Sequence, residues 1–451
     1  MKVTLVFDIG KTNKKCFLFD EKYQQVFREY SRFDEIRDDD GDFCDDLSSI
    51  GKWLQSTYQK IANDKKFDIK AINFSTYGAS LVHIDKNGIP VAPLYNYLKD
   101  YPEELLEEFH SKYGDTLRIA KETASPASGM LNSGFQLYWL KHTKPEIFKK
   151  IRRSLHFPQY LSFLFTGIAV SDYTSIGCHT SLWDFGKKDY HDWVYAEGFD
   201  KILPTIVDAT TSINKDIDGK TIKVGVGIHD SSSALLPYIR ADKKPFLLIS
   251  TGTWSISLNP FNAKVLSEED LQNDCLNYMQ INGNPVKAAR LFLGNEYNLQ
   301  VKRLNALFDV GKEYHHSVKF DEAIYGELEK DNRNYFEFES IAAFEAEERI
   351  ISAVHFKSYE EGYHQLMIEL LDLQFASAER AIGETEINKI YIDGGFATND
   401  VYVNLLSRHF PKCKMRTTNS PLGSALGAAL VISDKAIKRK FLKKHYAMKK
   451  V

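Results

Sequence analysis

Two apolar runs near the start of the chain, Val3-Thr4-Leu5-Val6-Phe7 and Cys16-Phe17-Leu18-Phe19, flank the polar stretch Gly10-Lys11-Thr12-Asn13. β-rich runs around a Gly/Asn turn predict a hairpin with a polar loop. The same grammar recurs half a chain later as Phe246-Leu247-Leu248-Ile249, then Ser250-Thr251-Gly252-Thr253-Trp254, then Ser255-Ile256-Ser257-Leu258. Two such hairpins predict a duplicated lobe. Between them, Leu47, Ile50, Leu54 and Ile61 sit at helical spacing and predict an amphipathic helix over 47–62, while Ile69 to Phe74 reads as a buried strand. The second half predicts a helix over 359–382, a strand over 389–392 and a helix starting near Pro421. This alternation is an α/β pattern. The charged break Arg240-Ala241-Asp242-Lys243-Lys244 predicts a linker, giving a first lobe over 1–240, a second over 245–434 and a basic tail over 435–451.

The length of 451 residues agrees with two lobes rather than one core. Apolar residues at 43% and charged residues at 26% exclude a disordered or fibrous chain. No run approaches the ~20 apolar residues of a membrane span, and Ala425 to Ile432 reads as a buried helix. The first apolar run stops at Asp8, too short for a signal peptide, so a cytoplasmic protein is expected. Cys16, Cys44, Cys178, Cys275 and Cys413 are scattered without a CxxC pair, which argues against disulfides and zinc. Net charge is −3, yet the last 17 residues carry eight Lys or Arg and no acid. Lys438, Arg439, Lys443 and Lys444 are expected on one wet helix face, with neither nucleic acid nor membrane as partner.

Three glycine loops carry the candidate chemistry: Asp8-Ile9-Gly10-Lys11-Thr12-Asn13, Ser250-Thr251-Gly252-Thr253 and Asp393-Gly394-Gly395. Each can bring backbone N–H groups close to an anion. Phosphoryl transfer needs a donor held in line, its charge covered by Mg²⁺ and N–H groups, and a base near the acceptor. Asp8 is placed to bind Mg²⁺, since that ion takes one or two carboxylates with phosphate oxygens. The chain has no GxxxxGK[ST] sequence and no HRD or DFG set, so P-loop enzymes and protein kinases are excluded. The acidic run Asp38 to Asp46 does not fit an EF-hand and is expected to be a solvated loop. Asp230, in Gly227-Ile228-His229-Asp230-Ser231, has two readings, an acid facing a cleft or a helix N-cap.

Together these motifs, in this order, resemble the FGGY carbohydrate kinases over roughly residues 3 to 433. Phe157-Pro158-Gln159-Tyr160-Leu161 and Asp172-Tyr173-Thr174-Ser175 are similar to the first-lobe pattern of that family. The resemblance implies two ribonuclease-H-like lobes of the actin and Hsp70 class with a cleft between them, and transfer of the terminal phosphoryl group of ATP to a sugar hydroxyl with Mg²⁺. It implies Asp230 as general base and Gly78, His229 and Ser231 with the sugar. It further implies Asp8 at the metal, Lys11, Thr12, Asn13, Lys15 and Thr253 at the phosphates, and Gly394 and Gly395 at the adenosine. The Ser250 to Ser255 segment, with Leu258-Asn259-Pro260, looks most like rhamnulokinases and fuculokinases, implying a ketose such as L-rhamnulose or L-fuculose. Tyr77 and Ser80 stand where rhamnulokinases carry Trp and an acid, and Lys11 stands where the family has a small residue. A homodimer is compatible with this reading. The rivals are an actin- or Hsp70-like ATPase on the same fold and a non-catalytic sugar-binding or regulatory protein; His229-Asp230 and the retention of Asp8 speak against them.

Overall fold

The computed structural model describes residues 1–331, 333–338, 341, 355–419, 422–433 and 435–451. Both expected hairpins form. Lys2–Ile9 pairs antiparallel with Lys14–Asp20, and Leu247–Thr251 pairs antiparallel with Ser255–Asn259. Each hairpin then takes a third antiparallel strand, Gln25–Ser31 in the first half and Pro285–Leu291 in the second. Each first strand also takes a parallel neighbour on its other side, Asp68–Thr76 and Lys389–Gly394 respectively. A further parallel strand follows in both, Lys220–Gly225 and Lys414–Thr418. The chain therefore builds one sheet plan twice, the duplication that the two hairpins predicted and the α/β fold of the actin and Hsp70 class that the resemblance implied.

Helices cover these sheets because their apolar faces have no other place to go. Leu47–Asn63 buries Ile50, Trp53, Leu54, Tyr58 and Ile61, and Asp46 caps it by accepting from Ser49 N at 3.0 Å. Tyr359–Ile382 spans the expected residues and is capped by Ser358. Pro421 lies outside the described residues; the helix it was expected to open runs over Gly423–Val431 and is buried from Ala425 onward. In the first half, residues between the strands Leu81–Ile84 and Ser212–Ile217 add a helical insert around Phe109, Phe135, Tyr138 and Trp193. Among the described residues no helix is long and apolar enough to cross a membrane. All five cysteines are free.

Two charged segments differ from the sequence expectation for the same reason: a lysine or arginine remote in sequence neutralises an acid that hydropathy alone left in water. The acidic run is not a solvated loop throughout, since Lys99 Nζ holds the buried Asp38 at 3.0 Å, and Lys11 and Lys14 hold the buried Asp45 at 2.9 and 2.7 Å. The break at 240–244 contains a buried acid, Asp242, bonded to Lys389, to Tyr391 Oη at 2.9 Å and to Arg439 at 2.9 Å. The basic tail is folded onto the second sheet. Its helix Arg439–His445 buries Leu442, and Lys449–Lys450 pairs with Lys414–Thr418 while the other basic side chains stay exposed.

Candidate active site

Asp8 is the penultimate residue of the first strand, and its cross-strand neighbours are Lys15 and, in the parallel strand, Ser75. Asp8 is buried, with Lys15 Nζ 3.7 Å from Oδ2 and Ser424 Oγ donating to Oδ1 at 2.8 Å. Burial pushes its pKa up; Lys15 and Ser424 pull it down, and the negative charge of Asp230 pushes it up again. Two acids sharing one lysine leave excess negative charge on hard oxygen donors, which fits Mg²⁺.

Asp230 opens the helix Asp230–Ala241 directly after the two-residue strand Ile228–His229. His229 occupies the N-cap position and makes no side-chain cap, so Asp230 is the first helical residue and the cap reading does not hold. Its carboxylate receives Ser231 Oγ at 3.2 Å and lies 3.1 Å from His229 Nε2. Although 35% of the side-chain surface remains exposed, the carboxyl sits in a recess crowded by protein, and desolvation there raises its pKa to about 6; Ser231 and Lys15 oppose the shift. His229 is buried, which lowers its pKa to about 4 and keeps the ring neutral.

The Phe157–Leu161 and Asp172–Ser175 segments explain why this turn is rigid. Asp172 is buried and accepts from Gln159 Nε2 at 2.9 Å, Thr174 N at 2.9 Å and Ser175 N at 3.0 Å. Thr174 Oγ1 accepts the His229 backbone N–H at 3.0 Å, so the network holds the His229-Asp230 peptide in place. Gly78 packs against the other side of the ring: a Cβ on it would stand 2.5 Å from Cys178 Sγ and 3.2 Å from His229 Cδ2. Tyr77 turns away and donates to Asp45 Oδ2 at 2.8 Å.

In the second half, Gly394 adopts φ +91°, and a Cβ there would overlap Thr251 O. Thr251 Oγ1 donates to Asp393 O at 2.6 Å and accepts from Phe396 N at 3.1 Å, fastening the two glycine loops together. Beside them opens a cavity of about 910 Å³ lined by Gly252, Gly294, Tyr297, Asn298, Gly395 and Phe396, with an extent that suits a nucleotide. Thr253 is exposed, its carbonyl accepting from Asn295 N at 3.1 Å.

A carbohydrate kinase N-terminal domain model of the FGGY family matches residues 3–236, and the corresponding C-terminal domain model matches residues 243–330. The chain belongs to the FGGY family of carbohydrate kinases. As an FGGY chain it is 25% identical over 265 residues to a rhamnulokinase from Halalkalibacterium halodurans, a match covering 57% of this chain and 56% of the relative. A rhamnulokinase from Oceanobacillus iheyensis is 26% identical over 268 residues, covering 56% and 55%. The chain thus matches about half the length of these curated relatives. Among solved structures, a carbohydrate kinase from Novosphingobium aromaticivorans shares the fold with TM-score 0.79 at 24% identity, covering 96% of this chain and 92% of that one. A xylulose kinase from Rhodospirillum rubrum does so with TM-score 0.79 at 14% identity, covering 100% and 93%.

In this FGGY chain Asp8, Lys15 and Asp230 form one electrostatic group, and Gly78, His229 and Ser231 adjoin it. Gly394 and Gly395 lie at the loop beside the cavity with Thr253 nearby. Thr12 is exposed in the first loop, and Asn13 closes that loop by accepting from Gly10 N at 3.0 Å. Lys11 is not part of the group, since its ammonium is tied to Asp45 and to Glu35, both at 2.9 Å. Sequence reasoning missed Ser424, Cys178 and the cavity-lining Tyr297 and Asn298, none of which carries a local motif.

Proposed function

We propose that the protein is an ATP-dependent carbohydrate kinase that transfers the γ-phosphoryl group of ATP to a hydroxyl of a small, uncharged sugar. The observation that carries this reading is the carboxylate of Asp230, 3.1 Å from His229 Nε2, raised to about 6 by burial and close enough to Lys15 and Asp8 to feel their charges. A carboxylate tuned toward neutral pH is suited to take a proton from an alcohol. A chaperone-like ATPase would share the phosphate loops but would not need a base facing a sugar. The family's curated rhamnulokinases favour a ketose of the L-rhamnulose kind as the acceptor.

In this mechanism His229 and Gly78 orient the acceptor hydroxyl toward Asp230, which receives its proton as the oxygen attacks phosphorus. Lys15 offsets the charge gathering on the transferred group, and the amides of the Gly10 to Asn13 loop assist it. Mg²⁺ would be held through Asp8 and would supply further neutralisation of the phosphates. The nucleotide base would occupy the cavity beside Gly395 and Phe396.

The test is ADP release with MgATP in the presence of single members of a panel of ketoses and alditols. Release that rises at least tenfold with one sugar is expected. A rate indifferent to every sugar would assign the protein to the ATPase class instead.

A further inference from the structure

Near His229 and Asp230 lies an arginine that none of these roles uses. Arg290, on Pro285–Leu291, grips Asp274 side-on, with Nε to Oδ2 at 3.0 Å and Nη2 to Oδ1 at 2.6 Å. Nη1 takes no part in that pair. The guanidinium lies 5.5 Å from the centre of the Trp254 ring, which packs at a tilt against Phe292 with ring centres 4.5 Å apart, and 17% of the Arg290 side chain is exposed. Cys178 and Tyr278 both lie within reach of the charges of Asp230 and Arg290. Cys178 Sγ is 3.2 Å from His229 Nε2, and the Tyr278 ring centre is 5.6 Å from that of His229. Arg290 and Asp230 therefore flank the same side chains, one contributed by each half of the chain.

We propose that Arg290 is a second sugar-binding residue, taking hydroxyl oxygens of the acceptor remote from the one that Asp230 serves. This rests on the kinase reading. The planar guanidinium is fixed by Asp274 and lies over the Trp254 ring, so little freedom is lost when Nη1 donates to a ligand oxygen. Asp274 neutralises its charge, and Asp8 and Asp230 add negative charge nearby, so the acceptor it suits is a neutral polyhydroxy compound rather than a sugar acid. The strand continues through Phe292 into the helix Leu293–Leu307, whose Tyr297 and Asn298 line the large cavity.

The experiment compares wild type, Arg290→Met and Arg290→Lys by ADP release with the best sugar of the panel and with its monodeoxy analogues. For Arg290→Met the sugar KM is expected to rise roughly ten- to hundredfold, the usual loss for a hydrogen bond from a charged donor. Turnover, the KM for ATP and the melting temperature should stay close to wild type. One deoxy analogue should cost the wild type about as much as the mutation does and cost Arg290→Met nothing further. Arg290→Lys, which keeps charge and a bond to Asp274, should fall between them, and it serves alone if the Met variant does not fold. An unchanged sugar KM overturns the proposal while leaving the kinase reading intact, as does a joint loss of ATP affinity and thermal stability, which would make Arg290 a lock for Asp274 only. Wild-type ADP release that ignores sugar overturns both.

Discussion

Ser424 donates to Asp8 at 2.8 Å across 416 positions of sequence. The bond joins the end of the first strand to the first turn of the helix Gly423–Val431, and the helix bearing Asp230 is fastened to that turn, since Ser233 Oγ donates to Ser424 O at 2.7 Å. The second half of the chain thus braces both carboxylates that the proposed reaction needs. The group is rigid because each acid is held from two sides.

Replacing Asp230 with Asn separates base from scaffold. Turnover should fall roughly 10²- to 10⁴-fold, the range for a lost general base, while the KM for sugar changes less. Because His229 rather than Asp230 stands at the N-cap, and an Asn oxygen can still accept from Ser231, the fold should not suffer. Its folded-state pKa is raised, so above pH 6 it carries an unfavourable ionised state that Asn lacks, and this difference fades as pH falls from about 6 toward the unfolded value. Thermal melts at pH 8 should therefore show the variant at or above wild type. A folded variant with near-normal turnover would remove Asp230 from the chemistry.

The pH profile of kcat/KM should fall on its acid side with a midpoint near 6, about tenfold per pH unit below it, as Asp230 takes up its proton. His229 titrates near 4 and cannot supply that limb. A midpoint below 5 would mean that the carboxyl is not desolvated in the free protein.

Asp8→Asn should raise the Mg²⁺ concentration needed for half-maximal rate and lower turnover, leaving sugar affinity close to wild type. Magnesium titrations of both proteins at fixed ATP decide this. Full turnover of the variant at limiting Mg²⁺ would show that Asp8 does not serve the metal.

The two loop lysines should part company. Lys15→Met should lower kcat/KM for ATP at least tenfold, because that ammonium is the positive charge beside Asp8 and Asp230. Lys11→Met should leave ATP kinetics within a few-fold and cost roughly 1 kcal/mol of stability, since Asp45 keeps Lys14 and Tyr77. The reverse pattern in steady-state kinetics and denaturant melts would restore Lys11 to the phosphates.

Local physics made the scaffold readable. A strand whose apolar run ends in Asp8 and a Gly/Asn loop needs no distant partner to be recognised as a hairpin, and the repetition of that pattern at Leu247–Ser257 announces the second lobe. Helical spacing likewise marked Leu47–Asn63 and Tyr359–Ile382 because each buries one face. The protonation of Asp230, the tethering of Lys11 and the burial of Asp38, Asp45 and Asp242 were not readable. A pKa depends on which groups surround a carboxyl in space, and here Lys15 reaches Asp8 across the first hairpin, Lys99 reaches Asp38 from 61 residues away, and Lys389 and Arg439 reach Asp242 from the second half of the chain. The sequence determined which residue types stand at strand ends and loops, because those choices rest on neighbours along the chain. Only the tertiary structure decided which of them share one recess, because Coulombic and desolvation effects follow distance through space rather than position in the chain.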